Sequence, residues 1–253
     1  MLDYIEHEAG NKTILELRLN KPPVNALGPE LNAVLRDAIR DASAQGANAI
    51  VLSGKPGMLS AGLDVAAMLK LDRAGIVSFF TDFFDLLARI AASPIPIAAA
   101  ITGHAPAGGA VLAILSDYRV MAEGKYRIGL NEVEVGLKVP PGVQVAVQRM
   151  VGHRQATRMC MEAQMLTTVE AHAIGLVDEV AAVEDVIEQA LDWCRRMVAL
   201  PPIAMQRERE YFRAPIVTAT ENPQAVAEDY TALWFSDETQ AAIASLMARL
   251  AKK

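Results

Sequence analysis

Cysteine is scarce in this chain. Its 253 residues hold two, Cys160 and Cys194, and neither stands in a CxxC pair or beside a cluster of histidines. That excludes a zinc-ligand set and a disulfide framework, and it predicts two small buried hydrophobes in a reducing compartment, the cytoplasm. Basic runs are equally short. None exceeds two residues, as at Arg195-Arg196, and the formal net charge is −6, so nucleic acid is not an expected partner. The longest apolar run, Pro94 to Thr102, is too short to cross a bilayer, and the opening MLDYIEHEAGNK carries acids where a secretory leader needs an apolar stretch. No membrane association is expected. Also missing are a GxSxG nucleophile elbow, a GxxxxGK(S/T) phosphate loop, an HExxH zinc helix and a GxGxxG dinucleotide fingerprint. Of the four histidines, only His104 borders a cluster of small residues, which makes it a distant candidate for a base.

What is present reads as a well-filled globular core. Apolar residues make up 52% of the chain, charged ones 21% and aromatics 5%. YIEHEAGNKTILELRLN predicts two strands around a turn at Gly10-Asn11, and KPPVNAL breaks the pattern. GPELNAVLRDAIRDASAQG predicts a helix with a proline in its first turn and a stop at Gly46. NAIVLSG and PIPIAAAITG predict short buried strands of a parallel sheet, separated by the helix IVSFFTDFFDLLARIAAS. DYRVMAEGKYRIGL predicts two more strands, and from Gly142 onward the pattern is mostly helical. Strand–helix alternation followed by a run of helices predicts an α/β core with an α-helical tail.

Two stretches share one design: a buried strand, then small residues, then a helix. They are LSAGLD (Leu59 to Asp64) and APAGGA (Ala105 to Ala110), the second within GHAPAGGAVLAILSDYR. Loops beyond the carboxyl ends of parallel strands gather on one edge, where ligands bind. A helix opening at Pro106 would present free amides and a positive dipole end near Gly108 to an anion. Tight turns and close helix packing account for such glycines equally well. A third stretch, IGLNEVEVGLKVPPG, places Asn131 and Glu132 directly after an apolar strand, with Glu134 two residues on. In an extended segment both acids would share one face, as a catalytic pair or as a solvated one.

LSAGLD, APAGGAVLAILSDYR and IGLNEVEVG, in this order and spacing, resemble the crotonase (enoyl-CoA hydratase/isomerase) superfamily, and the likeness runs from KPPVNAL to WFSDET. The resemblance implies an α/β spiral of ββα units over residues 1–190, followed by a C-terminal α-helical trimerisation region over residues 191–253. It implies an acyl-CoA thioester as substrate, no separate cofactor or metal, and a homotrimer or a hexamer built from two trimers. The backbone amides of Leu63 and Gly108 are implied as an oxyanion hole, and Glu132 as acid/base. Ser60, Ala61, Gly62, Asp64 and Asn131 are implied as further substrate-binding residues. One departure is informative. Hydratases of the family carry a glutamate soon after the glycines, where this chain has Val111. Water addition needs groups that activate water and deliver a proton, whereas a double-bond shift needs one carboxylate and an enolate hole. The wording is most similar to mitochondrial-type Δ3,Δ2-enoyl-CoA isomerases. A hydratase, thioesterase, decarboxylase or non-catalytic acyl-CoA-binding protein are the alternatives. From Glu221 onward, Tyr230, Leu233, Trp234, Ile243, Leu246 and Leu250 recur at helical spacing, as an assembly face or as a helix folded onto its own core.

Overall fold

The computed structural model describes residues 1–250. The chain begins with β1 (Leu2–Ala9), β2 (Lys12–Leu19), α1 (Pro29–Ala42), β3 (Ala47–Ser53) and β4 (Gly57–Met58). There follow α2 (Val65–Met68), α3 (Arg73–Ala91), β5 (Ile97–Ile101), β6 (Gly103–Pro106), α4 (Gly108–Leu115), β7 (Tyr118–Ala122) and β8 (Arg127–Gly129). After a 3₁₀ turn at Glu132–Val135 come α5 (Pro141–Val151), α6 (His153–Met161), β9 (Met165–Thr167), α7 (Thr168–Ala173) and β10 (Glu179–Ala181). The chain closes with α8 (Val186–Val198), α9 (Pro202–Thr220), α10 (Pro223–Trp234) and α11 (Asp237–Leu250).

The strands form two sheets, ordered β1-β2-β3-β5-β7-β10 and β4-β6-β8-β9. The β1–β2 and β8–β9 pairs are antiparallel and the others parallel. Each turn of the chain lays one strand in each sheet (β3 then β4, β5 then β6, β7 then β8), which is the ββα spiral. DYRVMAEGKYRIGL is therefore no hairpin. Its two strands lie in different sheets, because each finds a parallel neighbour from the preceding turn. The first sheet is covered on both faces, so β5 is apolar throughout. Ile97, Ala99 and Ile101 face the main core, while Ala98 and Ala100 face a second cluster that includes Leu191 and Cys194 of α8. The expected boundary at residue 190 falls inside α8.

Helix α9 is docked through arginine. Buried Arg213 donates to the carbonyls of Ile90, Ala91 and Leu115, at the C-terminal ends of α3 and α4, and to Asp117. A guanidinium there satisfies orphan carbonyls and opposes the negative dipole ends. The C-terminal apolar stripe turns inward. Tyr230, Trp234 and Ile243 are buried in their own chain, and Tyr230 packs edge-on against Phe80 and Phe84 with centroids 5.6 and 4.7 Å apart. The helical spacing after Glu221 is thus explained by the chain's own core. The large exposed apolar side chains of this region are Ile203, Tyr211 and Phe212 of α9, Leu200 just before it, and Leu250 at the end of α11, the one residue of the stripe that stays exposed. No helix among the described residues is long and apolar enough to cross a membrane.

Candidate active site

The LSAGLD loop is built on KPPVNAL. Asn25, in the left-handed region (φ 52°), accepts from Lys21 N at 2.8 Å and donates to Leu59 O at 3.0 Å. Ser60 Oγ donates to Asn25 O, and Ala61 N donates to Val24 O. Leu27 then pairs with both neighbours of Leu63, donating to Gly62 O and accepting from Asp64 N. In a parallel bridge this turns the Leu63 N–H to the opposite side, where it meets no acceptor among the described residues.

The second loop approaches from that side. Helix α4 opens at Gly108, not Pro106; Pro106 still pairs with Gly129 in the second sheet, because Ala107 turns the chain between strand and helix. Ala107 does so at φ 44° and ψ −118°, a strained conformation for alanine that costs on the order of 1–3 kcal/mol. Helix geometry leaves the Gly108 N–H without an intrahelical acceptor. A Cβ on Gly62 would lie 2.9 Å from Gly108 N, and one on Gly109 would lie 2.4 Å from Ser60 O. The glycines therefore let two backbones touch, and Leu63 and Gly108, whose amides have no acceptor among the described residues, both line one cavity of about 430 Å³.

Glu132 lies in the same cavity, 9% exposed, and its Oε2 has no hydrogen-bond partner among the described residues. Burial pushes its pKa up from 4.5 to about 7. Asn131 also reaches the cavity. Its Nδ2 donates to Glu134 at 3.2 Å and its Oδ1 is buried without a partner. Val111, 1% exposed, lines the cavity with Phe80, Phe83 and Trp234, so the surroundings are mainly apolar.

Of the residues singled out in the sequence, Ala61, Leu63, Asp64, Gly108, Asn131 and Glu132 line this cavity. Ser60 and Gly62 do not. Ser60 is fully buried and braces the loop, while Gly62 supplies the close approach to Gly108. Asp64 is paired with Lys21 at 2.8 Å and caps α2 by accepting from Ala67 N. Glu132 and Glu134 do not share a face, because the segment winds into a 3₁₀ turn that buries the first and exposes the second. His104 is outside the cavity and accepts from Arg127 N at 3.2 Å. Sequence reasoning missed Phe80 and Phe83 as cavity residues. Their FFTDFF run signalled only a buried helix face, and whether such a face meets core or ligand is decided by packing.

Known proteins share the sequence pattern and the fold of this chain. The enoyl-CoA hydratase/isomerase family model matches residues 9–244. The mouse mitochondrial enoyl-CoA delta isomerase 1 is 30% identical over 250 residues, covering 96% of this chain and 86% of the mouse protein. The crystal structure of human mitochondrial delta3-delta2-enoyl-CoA isomerase superposes with a TM-score of 0.92 at 27% identity, covering 99% of this chain and 98% of that one. An enoyl-CoA hydratase from Mycobacterium ulcerans superposes with a TM-score of 0.81 at 26% identity, covering 90% and 98% of the two chains. With the family model matched over residues 9–244 and a ββα spiral that superposes on the human isomerase over nearly its whole length, the chain belongs to the enoyl-CoA hydratase/isomerase family.

Proposed function

We propose that the protein is a Δ3,Δ2-enoyl-CoA isomerase that shifts a C3=C4 double bond of an acyl-CoA thioester to C2=C3. The observation that supports this reading is the unpartnered Glu132 Oε2 in one cavity with Leu63 and Gly108, where Val111 stands in place of the hydratases' glutamate and the other acid of the lining, Asp64, is held by Lys21. In the proposed reaction the thioester oxygen accepts from the Leu63 and Gly108 amides. Glu132 takes a proton from C2, and the electron pair spreads over C2, C3, C4 and the thioester oxygen as a dienolate. The same carboxyl returns the proton at C4, the electrons settle between C2 and C3, and Glu132 is again ionised.

Each part matches a physical need. Preorganised amides aimed at a developing oxyanion contribute roughly 2.7–4 kcal/mol apiece to lowering the barrier. A carboxyl held near pKa 7 is a stronger base than an exposed one and gives its proton back readily at neutral pH. Apolar walls keep water from the dienolate. Hydration, the runner-up chemistry, needs a held and activated water, and Val111 cannot hold one. The substrate brings its own coenzyme A, and the proposed reaction uses no further cofactor or metal. A homotrimer or a dimer of trimers is the proposed assembly, supported by the large apolar side chains that α9 leaves exposed. A reducing location such as the cytoplasm fits the two free cysteines. Incubation with a 3-enoyl-CoA tests the function: conjugated 2-enoyl-CoA absorbance should grow, and its absence overturns the reading.

A further inference from the structure

The segment that carries Glu132 is clamped at its far end by the C-terminal helices. After the 3₁₀ turn the chain passes through Gly136 at φ +73° and reaches Lys138, whose carbonyl accepts from Tyr230 Oη at 2.7 Å. Thr239, 1% exposed in the first turn of α11, donates its hydroxyl to Gly136 O at 2.9 Å and lies 3.1 Å from the Ser236 hydroxyl that donates to it. The joint has no slack. A Cβ on Gly136 would stand 2.5 Å from Thr239 Oγ1 and 2.8 Å from Thr239 Cα. Gly136 N and Leu137 N donate in turn to Val133 O and Glu132 O, so the joint is hydrogen-bonded directly into the turn bearing the carboxyl. The opposite stretch of α11 lines the cavity with Ile243, Leu246, Met247 and Leu250. One helix thus touches both the apolar interior and the turn that carries the base.

We infer that Thr239 is a positioning residue that makes the placement of Glu132 depend on an acyl chain long enough to reach α11. The inference rests on the isomerase reading and adds the substrate class to it: medium- and long-chain 3-enoyl thioesters in preference to short ones. A short acyl group leaves the α11 wall without partner atoms, whereas a longer chain packs against Ile243, Leu246 and Met247 and gains their dispersion contacts. A tight, hydrogen-bonded joint passes a displacement on instead of absorbing it. Seating α11 therefore seats the Glu132 turn. The effect falls on kcat more than on KM, because a misplacement of about 1 Å costs up to about 10²-fold in rate.

The test compares 3-decenoyl-CoA with 3-butenoyl-CoA. Wild type should turn over the longer substrate faster. Thr239→Val keeps the volume and removes the hydroxyl; it should lower kcat for decenoyl-CoA roughly three- to tenfold, the size of one hydrogen bond, and leave butenoyl-CoA unchanged. Thr239→Ser should restore the difference. Equal losses on both substrates, or an unchanged kcat for decenoyl-CoA, would overturn the inference. Amide hydrogen exchange over residues 132–139 gives a second readout that needs binding alone. Saturated decanoyl-CoA should slow exchange there in wild type but not in Thr239→Val, and butyryl-CoA should slow it in neither. Identical protection in both proteins overturns the coupling. A chain that binds decanoyl-CoA and shows the coupling, yet isomerises nothing, refutes the isomerase reading alone; one that binds neither thioester refutes both.

Discussion

Gly62 and Gly108 meet backbone to backbone: a Cβ on Gly108 would stand 3.0 Å from Gly62 Cα and 2.9 Å from Leu27 Cδ1. The contact joins two loops that are distant in sequence, and each contributes an unpaired amide beside it. The glycines are needed because the backbones touch, and under the proposed function the same contact brings two donors together.

Gly108→Ala should consequently damage both packing and turnover. The added methyl points at Gly62 and Leu27 rather than into the cavity, so it must push the loops apart and move the Gly108 amide. Loss of one such donor predicts a kcat lower by about 10²–10³-fold, together with a stability loss of about 1–3 kcal/mol from overpacking. Steady-state kinetics and urea unfolding check the two halves. Full turnover by this variant would show that the Gly108 amide is not a donor to the substrate.

Glu132→Gln should fold and lose activity by a factor of about 10²–10⁴. In wild type, kcat/KM should rise with pH through about 7, the pKa to which burial lifts this carboxyl, since only the ionised form abstracts a proton. Stability should run the other way. The folded pKa lies above the ordinary 4.5, so the folded chain holds a proton that the unfolded chain releases, and stability falls as pH rises from about 4.5 to 7. Glu132→Gln removes this dependence and should gain about 2–3 kcal/mol over wild type near pH 8 relative to its difference near pH 4.5. A pH-independent difference in unfolding midpoint, or near-normal isomerisation, counts against Glu132.

Val111 predicts what the enzyme refuses. Wild type should hydrate 2-enoyl-CoA slowly or not at all while binding it as the isomerisation product. Val111→Glu places a carboxyl in the cavity and should gain slow hydration at some expense in stability, because a buried unpaired acid is costly and tends to stay protonated. The assay is loss of conjugated absorbance with crotonyl-CoA. Parent hydration as fast as isomerisation would sink the reading of Val111.

Light scattering at micromolar concentration should give three or six times the 27.2 kDa chain mass. The face proposed for contact is on α9, where Ile203 and Tyr211 are each 75% exposed. Glutamate at both positions should shift the particle toward the monomer without touching the cavity. A wild-type monomer would remove the assembly from this account.

The sequence by itself determined the type of the long elements, because apolar periodicity and turn residues report which faces are buried, while the short strands β4, β6, β9 and β10 carry too few residues to show a period. It also determined the family, because LSAGLD, PAGG and LNE keep their order, and it singled out Glu132 and the apolar Val111 as the residues on which the proposed chemistry turns. It left open whether the glycines served packing or ligand binding, and whether Glu132 and Glu134 formed a pair. Those answers depend on contacts between segments far apart in the chain. Gly62 requires Gly108 opposite it, and Thr239 requires Gly136. The 3₁₀ turn that separates Glu132 from Glu134 is packed against α6 and α11. The apolar stripe on α10 and α11 was legible as a stripe, but its partner was not. Tertiary packing alone set it against Phe80 and Phe84 and around the cavity, since a hydrophobic face specifies that it must be covered and says nothing about what covers it.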